Sequence, residues 1–309
     1  MVPKHKSTPS QNPLRSGISF SSNPTPSSVW FLDDKARKEF MENFCRQGLH
    51  LERHVVLSDF SDTNLPTVIH SRGLESLCDI PVTYPSVIIL EFYSNMHRIN
   101  TSIPRFFSRV RGMRIVVIPD IVSEVLHIPS VAHPDYPGCD CLRTMSKDKL
   151  SSCFCETPSS WGDRQNTPCS GFAKGSRFLN MVMTFVLHPL SHNNSIIEPR
   201  ARFLLSLLKD ISINFPFQVI ISIIDVYWDT MTCDKLSFPS AITRILCHFS
   251  IPIPDTPYYT VMGAISAASV QWSETQFRPK RPRIETTDPL AYTIPSTSSP
   301  SSLGGGVTL

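Results

Sequence analysis

What this chain lacks narrows its function first. No stretch approaches the ~18 consecutive apolar residues that a membrane-spanning helix needs. The most apolar runs, at residues 87–90, 181–187 and 219–224, are short and read as buried helices. No apolar segment lies near Met1, so no secretory signal is read there. The cysteines are then expected to be reduced thiols of an intracellular protein. Neither G-x-x-x-x-G-K-S/T nor G-x-G-x-x-G occurs, and no G-x-S-x-G marks a hydrolase nucleophile. A strong charge of either sign is missing too. The net charge of +3 excludes a uniformly basic nucleic-acid binder and leaves room for a local basic patch.

What is present is unevenly spread. The chain has 309 residues, of which 41% are hydrophobic, enough for a substantial core. Its 27 prolines crowd the two ends and the middle. Residues 1–29 are rich in Ser, Pro and Asn, hold no acidic residue and show no hydrophobic periodicity. They read as a disordered tail, with an organellar transit peptide as the other reading. Residues 271–309 turn polar and Ser/Pro/Gly-rich and read the same way.

Between the tails, apolar spacing predicts mostly helices. Asp33 or Asp34 is placed to cap a helix running to about Gln47, with Gly48 stopping it. Residues 51–56 read as extended and 65–78 as short helical turns around Gly73. Residues 84–96 read as a central apolar helix. Two β-rich runs flank Arg111-Gly112 within residues 106–118, predicting a hairpin or a kinked strand. Ile121, Val122, Val125 and Leu126 follow helical spacing up to Pro129. Residues 129–175, with five cysteines, read as an irregular insertion that divides two helical lobes, with a short helix at 147–155. Beyond it come four helical stretches, at 178–187, 203–211, 217–231 and 242–249, with Pro189, Pro199, Pro216 and Pro239 near their starts. Tyr227 and Trp228 read as core, and residues 259–271 as a weaker helix.

The order of several segments carries more than any one of them. Glu91-Phe92-Tyr93-Ser94-Asn95 closes an apolar helix. Val110-Arg111-Gly112-Met113-Arg114-Ile115 follows, and then a helix ending in Leu126-His127-Ile128-Pro129. Upstream stand Leu51-Glu52-Arg53 and Arg72-Gly73-Leu74. This order resembles the putative plant transposon protein domain, which occurs in plant genomes beside and inside retroelement-like genes. The resemblance covers residues 30–270. Near the end, Leu236-Ser237-Phe238-Pro239-Ser240-Ala241-Ile242-Thr243 stands where the family has L-P-Y-G-x-x-I-T. The family carries no assigned catalytic residues, so the resemblance implies none here.

Local chemistry is sparse. Phe31-Leu32-Asp33-Asp34 mimics the paired carboxylates of reverse transcriptases. It opens an amphipathic helix, however, and helix capping explains it better. A transposase-like centre would need convergent carboxylates such as Asp120, Asp225 and Asp229, which spacing does not supply. Cys139, Cys141, Cys153, Cys155 and Cys169, with His133, pose the question of a zinc site. Their C-x-C spacing is tight for one, and free thiols are the preferred reading. No cofactor or metal is expected.

Two basic sets remain. Arg278, Lys280, Arg281 and Arg283 lie in the C-terminal tail and suit an import receptor or phosphates. Arg105, Arg109, Arg111 and Arg114 flank the hairpin; Arg109 and Arg111 share a strand face, which Arg105 joins if the strand extends back that far. They read first as a solvated face opposite a buried apolar one, with a track for a nucleic-acid backbone, Phe106 and Phe107 placed nearby to stack, as the other reading. The expectation is a mainly α, multi-helix domain with one small β-hairpin and disordered tails. It is read as a transposon-derived, non-catalytic binding module for protein or nucleic acid. The nucleus is the expected location, with cytoplasm or plastid as alternatives. A degenerate transposase- or nuclease-like enzyme is the alternative function.

Overall fold

The Asp33 side chain accepts a hydrogen bond from the Ala36 amide at 2.8 Å and starts the first helix, α1 (Asp34–Glu42). The computed structural model describes residues 28–79, 83–161, 166–189, 195–229, 235–253, 258–260 and 263–269. Both sequence-predicted tails lie almost wholly outside these residues, as do Arg278, Lys280, Arg281 and Arg283. Helix α1 buries Ala36 and Phe40 and ends at Glu42, short of Gln47. Gly48 does not terminate it. It opens β1 (Gly48–Leu49), which pairs in parallel with a strand far along the chain, β8 (Lys235–Leu236).

The helices follow their apolar stripes. They are α2 (Leu65–Ser71), α3 (Glu75–Cys78), α4 (Ser86–Ser94), α5 (Pro119–Leu126), α6 (Asp140–Arg143), α7 (Lys147–Ser152), α8 (Lys174–Val182), α9 (Glu198–Leu208), α10 (Phe215–Trp228) and α11 (Pro239–His248). Proline occupies the first turn of α2, α5, α9, α10 and α11, where its missing N–H costs no helical bond. Pro189 behaves differently: it follows the π-helical turn Met183–Leu187 that extends α8. Helix α5 stops at His127, a left-handed residue (φ 52), before Pro129 is reached. Arg72-Gly73 joins α2 to its surroundings. Arg72 donates to the carbonyls of Ser206, in the last turn of α9, and Ile211, beyond its end. Gly73 combines φ +61 with Pro129 only 3.2 Å from where a Cβ would stand.

The fold is mixed α/β rather than all-α. Four small sheets occur among the described residues. Strands β3 (His97–Asn100), β4 (Arg105–Val110) and β5 (Met113–Val117) form an antiparallel sheet. Strand β2 (Thr83–Pro85) pairs with β9 (Tyr258–Thr260), and β6 (Asn166–Pro168) with β7 (Ser195–Ile197). Strand β9 falls where a weak helix was expected. Within residues 51–56 the only ladder contact is the Val55 bridge to Ile265.

One hydrophobic cluster runs from Phe31 to Ile265. Leu142, Leu150, Phe154 and Phe172 belong to it. The irregular middle segment is therefore packed into the same core and does not separate two lobes. Helix α4, buried on nearly every side, lies at the centre. Trp228 is 57% exposed at the end of α10 and is not core. Tyr227 is half-buried and stacks on Phe44.

Candidate nucleic-acid interface

Helix α4 positions the three-stranded sheet through the segment that ends it. Phe92 meets Phe106 edge-on at 5.7 Å, and the Ser108 hydroxyl donates to the Phe92 carbonyl at 2.7 Å. Tyr93 donates its hydroxyl to the Ser237 carbonyl at 2.9 Å. Asn95 is fully buried and uses its amide completely. Its oxygen accepts from the Leu32 amide, and its nitrogen donates to the carbonyls of Trp30, Glu91 and Arg109. Buried polar groups are tolerable only when satisfied, and here one side chain joins the N-terminal segment, α4 and β4.

Glu91 supports the turn. Strands β4 and β5 are joined by Arg111-Gly112, with φ of 52 and 80. Two left-handed central residues define the turn type that matches strand twist in a hairpin, and glycine is the natural second residue. The buried Glu91 carboxylate accepts from the Arg111 main-chain N–H at 2.5 Å and lies 3.4 Å from its Nε. The Arg111 guanidinium sits 3.8 Å from the centre of the Trp30 ring. Burial pushes the Glu91 carboxyl up to about 7, against the opposing pull of the Arg111 N–H and charge.

Arg111 therefore leaves the face assigned to it. The positive φ turns it back toward Glu91 and Trp30, away from Arg109. Phe106 is also inward and buried. Arg105, Phe107 and Arg109 share the opposite, outer face of β4 by strand alternation. Arg114 of β5 stands directly across from Arg109. The pair flanking a two-residue turn, Val110 and Met113, exchanges both main-chain bonds. Arg109 and Arg114 are thus a non-hydrogen-bonded pair, the closer kind. Arg114 also lies over Phe107, 4.6 Å from its centre, and His97 of β3 lies 6.0 Å from Phe107 on the other side. A row His97, Phe107, Arg114 crosses all three strands.

Like charges facing each other across a sheet cost up to about 1 kcal/mol. Among the described residues, no carboxylate stands within ion-pairing distance of Arg98, Arg105, Arg109 or Arg114. Arg109 donates from Nε to the Gly112 carbonyl at 3.1 Å, which leaves its terminal nitrogens available. The outer face holds concentrated cations beside a half-buried aromatic ring. His97 is the member that sequence reading missed, because the β3–β4 pairing joins residues across an irregular register.

Other chemical groups are disposed differently. Arg200 is buried and donates to the His188 carbonyl and the Thr184 hydroxyl, fixing the π-helical turn. Burial, and secondarily nearby Lys235 and Arg200, hold His50 down to about 4. Burial and Arg200 hold His188 down to about 3. Burial pushes the Cys169 thiol up to about 12, which keeps it from acting as a thiolate. The sulfurs of Cys139 and Cys141 lie beside each other. Cys153 is exposed and Cys155 half-buried. Among the described residues, no three His, Cys, Asp or Glu side chains form a metal-ligand group, and Asp120, Asp225 and Asp229 are not brought together as one.

The putative plant retrotransposon-related domain matches the chain over residues 70–252, more than half of its length. No match was found among curated proteins or among solved structures. The matched stretch contains Arg72-Gly73, the Glu91–Asn95 segment, the Arg111-Gly112 turn and the outer arginines. The chain belongs to the putative plant retrotransposon-related domain family, and the hairpin corner just described lies inside the part that places it there.

Proposed function

We propose that this retrotransposon-related chain is a non-catalytic binding module. The outer face of its three-stranded sheet holds the backbone of single-stranded nucleic acid. The observation that carries this reading is the Arg109–Arg114 cross-strand pair, without a carboxylate partner among the described residues, beside Phe107. Two adjacent guanidinium groups present bidentate donors to phosphate. A partly exposed ring adds a stacking surface indifferent to base identity. Arg105 extends the same row along β4. The sheet's other face is filled by Phe106, Val110, Ile115 and Val117, so the cations are anchored on a rigid support.

The test is fluorescence anisotropy of the full chain with single-stranded RNA and DNA at two salt concentrations. The Arg109→Ala/Arg114→Ala variant is expected to bind about tenfold more weakly, and its salt slope to shrink by about 1.4, two phosphate contacts' worth. Equal binding by the variant, or none by the unaltered chain, overturns the reading.

Nuclear import through Arg278, Lys280, Arg281 and Arg283 belongs to the same proposal. Four cations within six positions fit an acidic receptor groove. A fluorescent fusion carrying Lys280→Ala and Arg281→Ala should lose nuclear accumulation. An unchanged distribution would remove that part.

A further inference from the structure

The two edges of the three-stranded sheet are built differently. On one side, β3 is irregular: its register with β4 shifts between His97 and Asn100, and Arg98 sits at φ 50. Broken register and a left-handed residue stop a further strand from adding. On the other side, β5 pairs residue for residue with β4, from Met113 opposite Val110 to Val117 opposite Phe106. Met113, Ile115 and Val117 turn their main-chain groups toward β4. Arg114 and Val116 must then turn their N–H and C=O outward. Among the described residues, no main-chain or side-chain group bonds to those four outward groups. The Arg114 side chain is exposed and Val116 half-exposed. Among the described residues, the protection of this edge is the one charge of Arg114.

We infer that the free edge of β5 accepts an extended acidic segment of a partner protein as a fourth strand. Main-chain pairing would come from Arg114 and Val116. Selectivity would come from the outer face, where alternate side chains of the added strand lie beside Arg114, with Arg109 one strand further. Asp or Glu at those positions faces two cations that have no acid of their own among the described residues. Apolar residues at the intervening positions would continue the inner face formed by Ile115 and Val117. A second copy of this chain fits poorly. Its own β5 would carry Arg114, and the β4 behind it Arg109, onto the same face, placing four arginines together. This inference goes beyond the nucleic-acid reading: it shares Arg109 and Arg114 with it and adds main-chain pairing that phosphate contacts do not use.

The probe is a labelled peptide of ~10 residues alternating Val and Glu, matched by one with Lys in place of Glu. The full chain should bind the acidic peptide and not the basic one. Val116→Pro removes an outward N–H without touching the β4 ladder, so the sheet tolerates it. That variant should weaken peptide binding at least about tenfold while single-stranded RNA binding is unchanged. On the unaltered chain, amide exchange at Arg114 and Val116 should slow when the acidic peptide is added. This second readout stands even if the proline variant fails to fold. No binding of the acidic peptide, unchanged exchange at those two amides, or equal affinity in a folded Val116→Pro variant would overturn the inference. So would protection that rises with protein concentration alone, which would assign the edge to a second copy. A chain that binds the peptide but no RNA would overturn only the earlier reading.

Discussion

Arg109 and Arg111 are two residues apart and live in opposite worlds. Arg111 is folded onto a buried carboxylate and an indole ring, and its main-chain N–H is held by the same carboxylate. Arg109 faces another arginine and has no acid within reach among the described residues. One arginine maintains the corner and the other is left available. Sequence spacing treats them as equivalent, because strand alternation gives positions 109 and 111 the same face. A two-residue turn cancels that rule at its first central position. The difference teaches that charge near a hairpin tip must be sorted by backbone before it is counted as binding surface.

The largest effect should come from the corner's inner side. Asn95→Ala leaves the Leu32 amide and the Trp30, Glu91 and Arg109 carbonyls without their shared partner. A loss of about 4 kcal/mol in urea unfolding is expected. Arg111→Ala strands the buried Glu91 carboxylate and uncovers Trp30, and should cost about 2 kcal/mol by the same assay. If Arg109→Ala cost as much, the contrast between the two arginines would collapse.

The inner side should also titrate where the outer face does not. Burial raises Glu91 to about 7 and Glu52 to about 8 in the folded chain. A raised carboxyl favours folding most below its unfolded value near 4.5, and that contribution is lost as pH rises through the folded value. His50 and His188 have depressed folded values, so their contribution is present above about 6.5 and lost below it. Between pH 6.5 and 8 the carboxyls alone set the slope, and stability should fall by about 2 kcal/mol. Chemical unfolding at several pH values checks this, and Glu52→Gln should remove more than half of the slope. The smallest effect is the most informative. Arg109→Ala and Arg114→Ala should each change stability by less than about 0.5 kcal/mol, because the Arg109 bond to the Gly112 carbonyl and the Arg114 contact with Phe107 are offset by the repulsion between the two arginines. Relief of the like-charge pair is expected to offset part of any loss.

Much of the fold could be read in advance where the signal was local. The Asp33 cap, the prolines at helix starts and the hairpin around Arg111-Gly112 all depend on neighbouring residues. What escaped depended on distant partners. Strand β1 is two residues long and pairs with residues 235–236, a contact that no local pattern announces. Residues 258–260 carry a strand because β2 lies beside them. The middle segment has little periodicity yet supplies Leu142, Leu150 and Phe154 to the core. Glu91 and Asn95 looked like the tail of an apolar helix, and their roles appear only when the turn and Trp30 arrive. Arg105 and Arg109 were legible as a strand face. The opposition of Arg109 and Arg114 followed from the turn type.

The four hydrogen bonds of Asn95 set a limit on how this chain can be divided. Two of their partners, Trp30 and Leu32, precede the family-matched stretch by some forty residues. Glu52, which accepts the Ser240 amide at the start of α11, precedes it as well. A fragment trimmed to residues 70–252 would keep the family-matched stretch and lose Trp30, Leu32 and Glu52, which bond to groups inside it. The stretch that carries the family match and the stretch that shares one core are different lengths of the same chain.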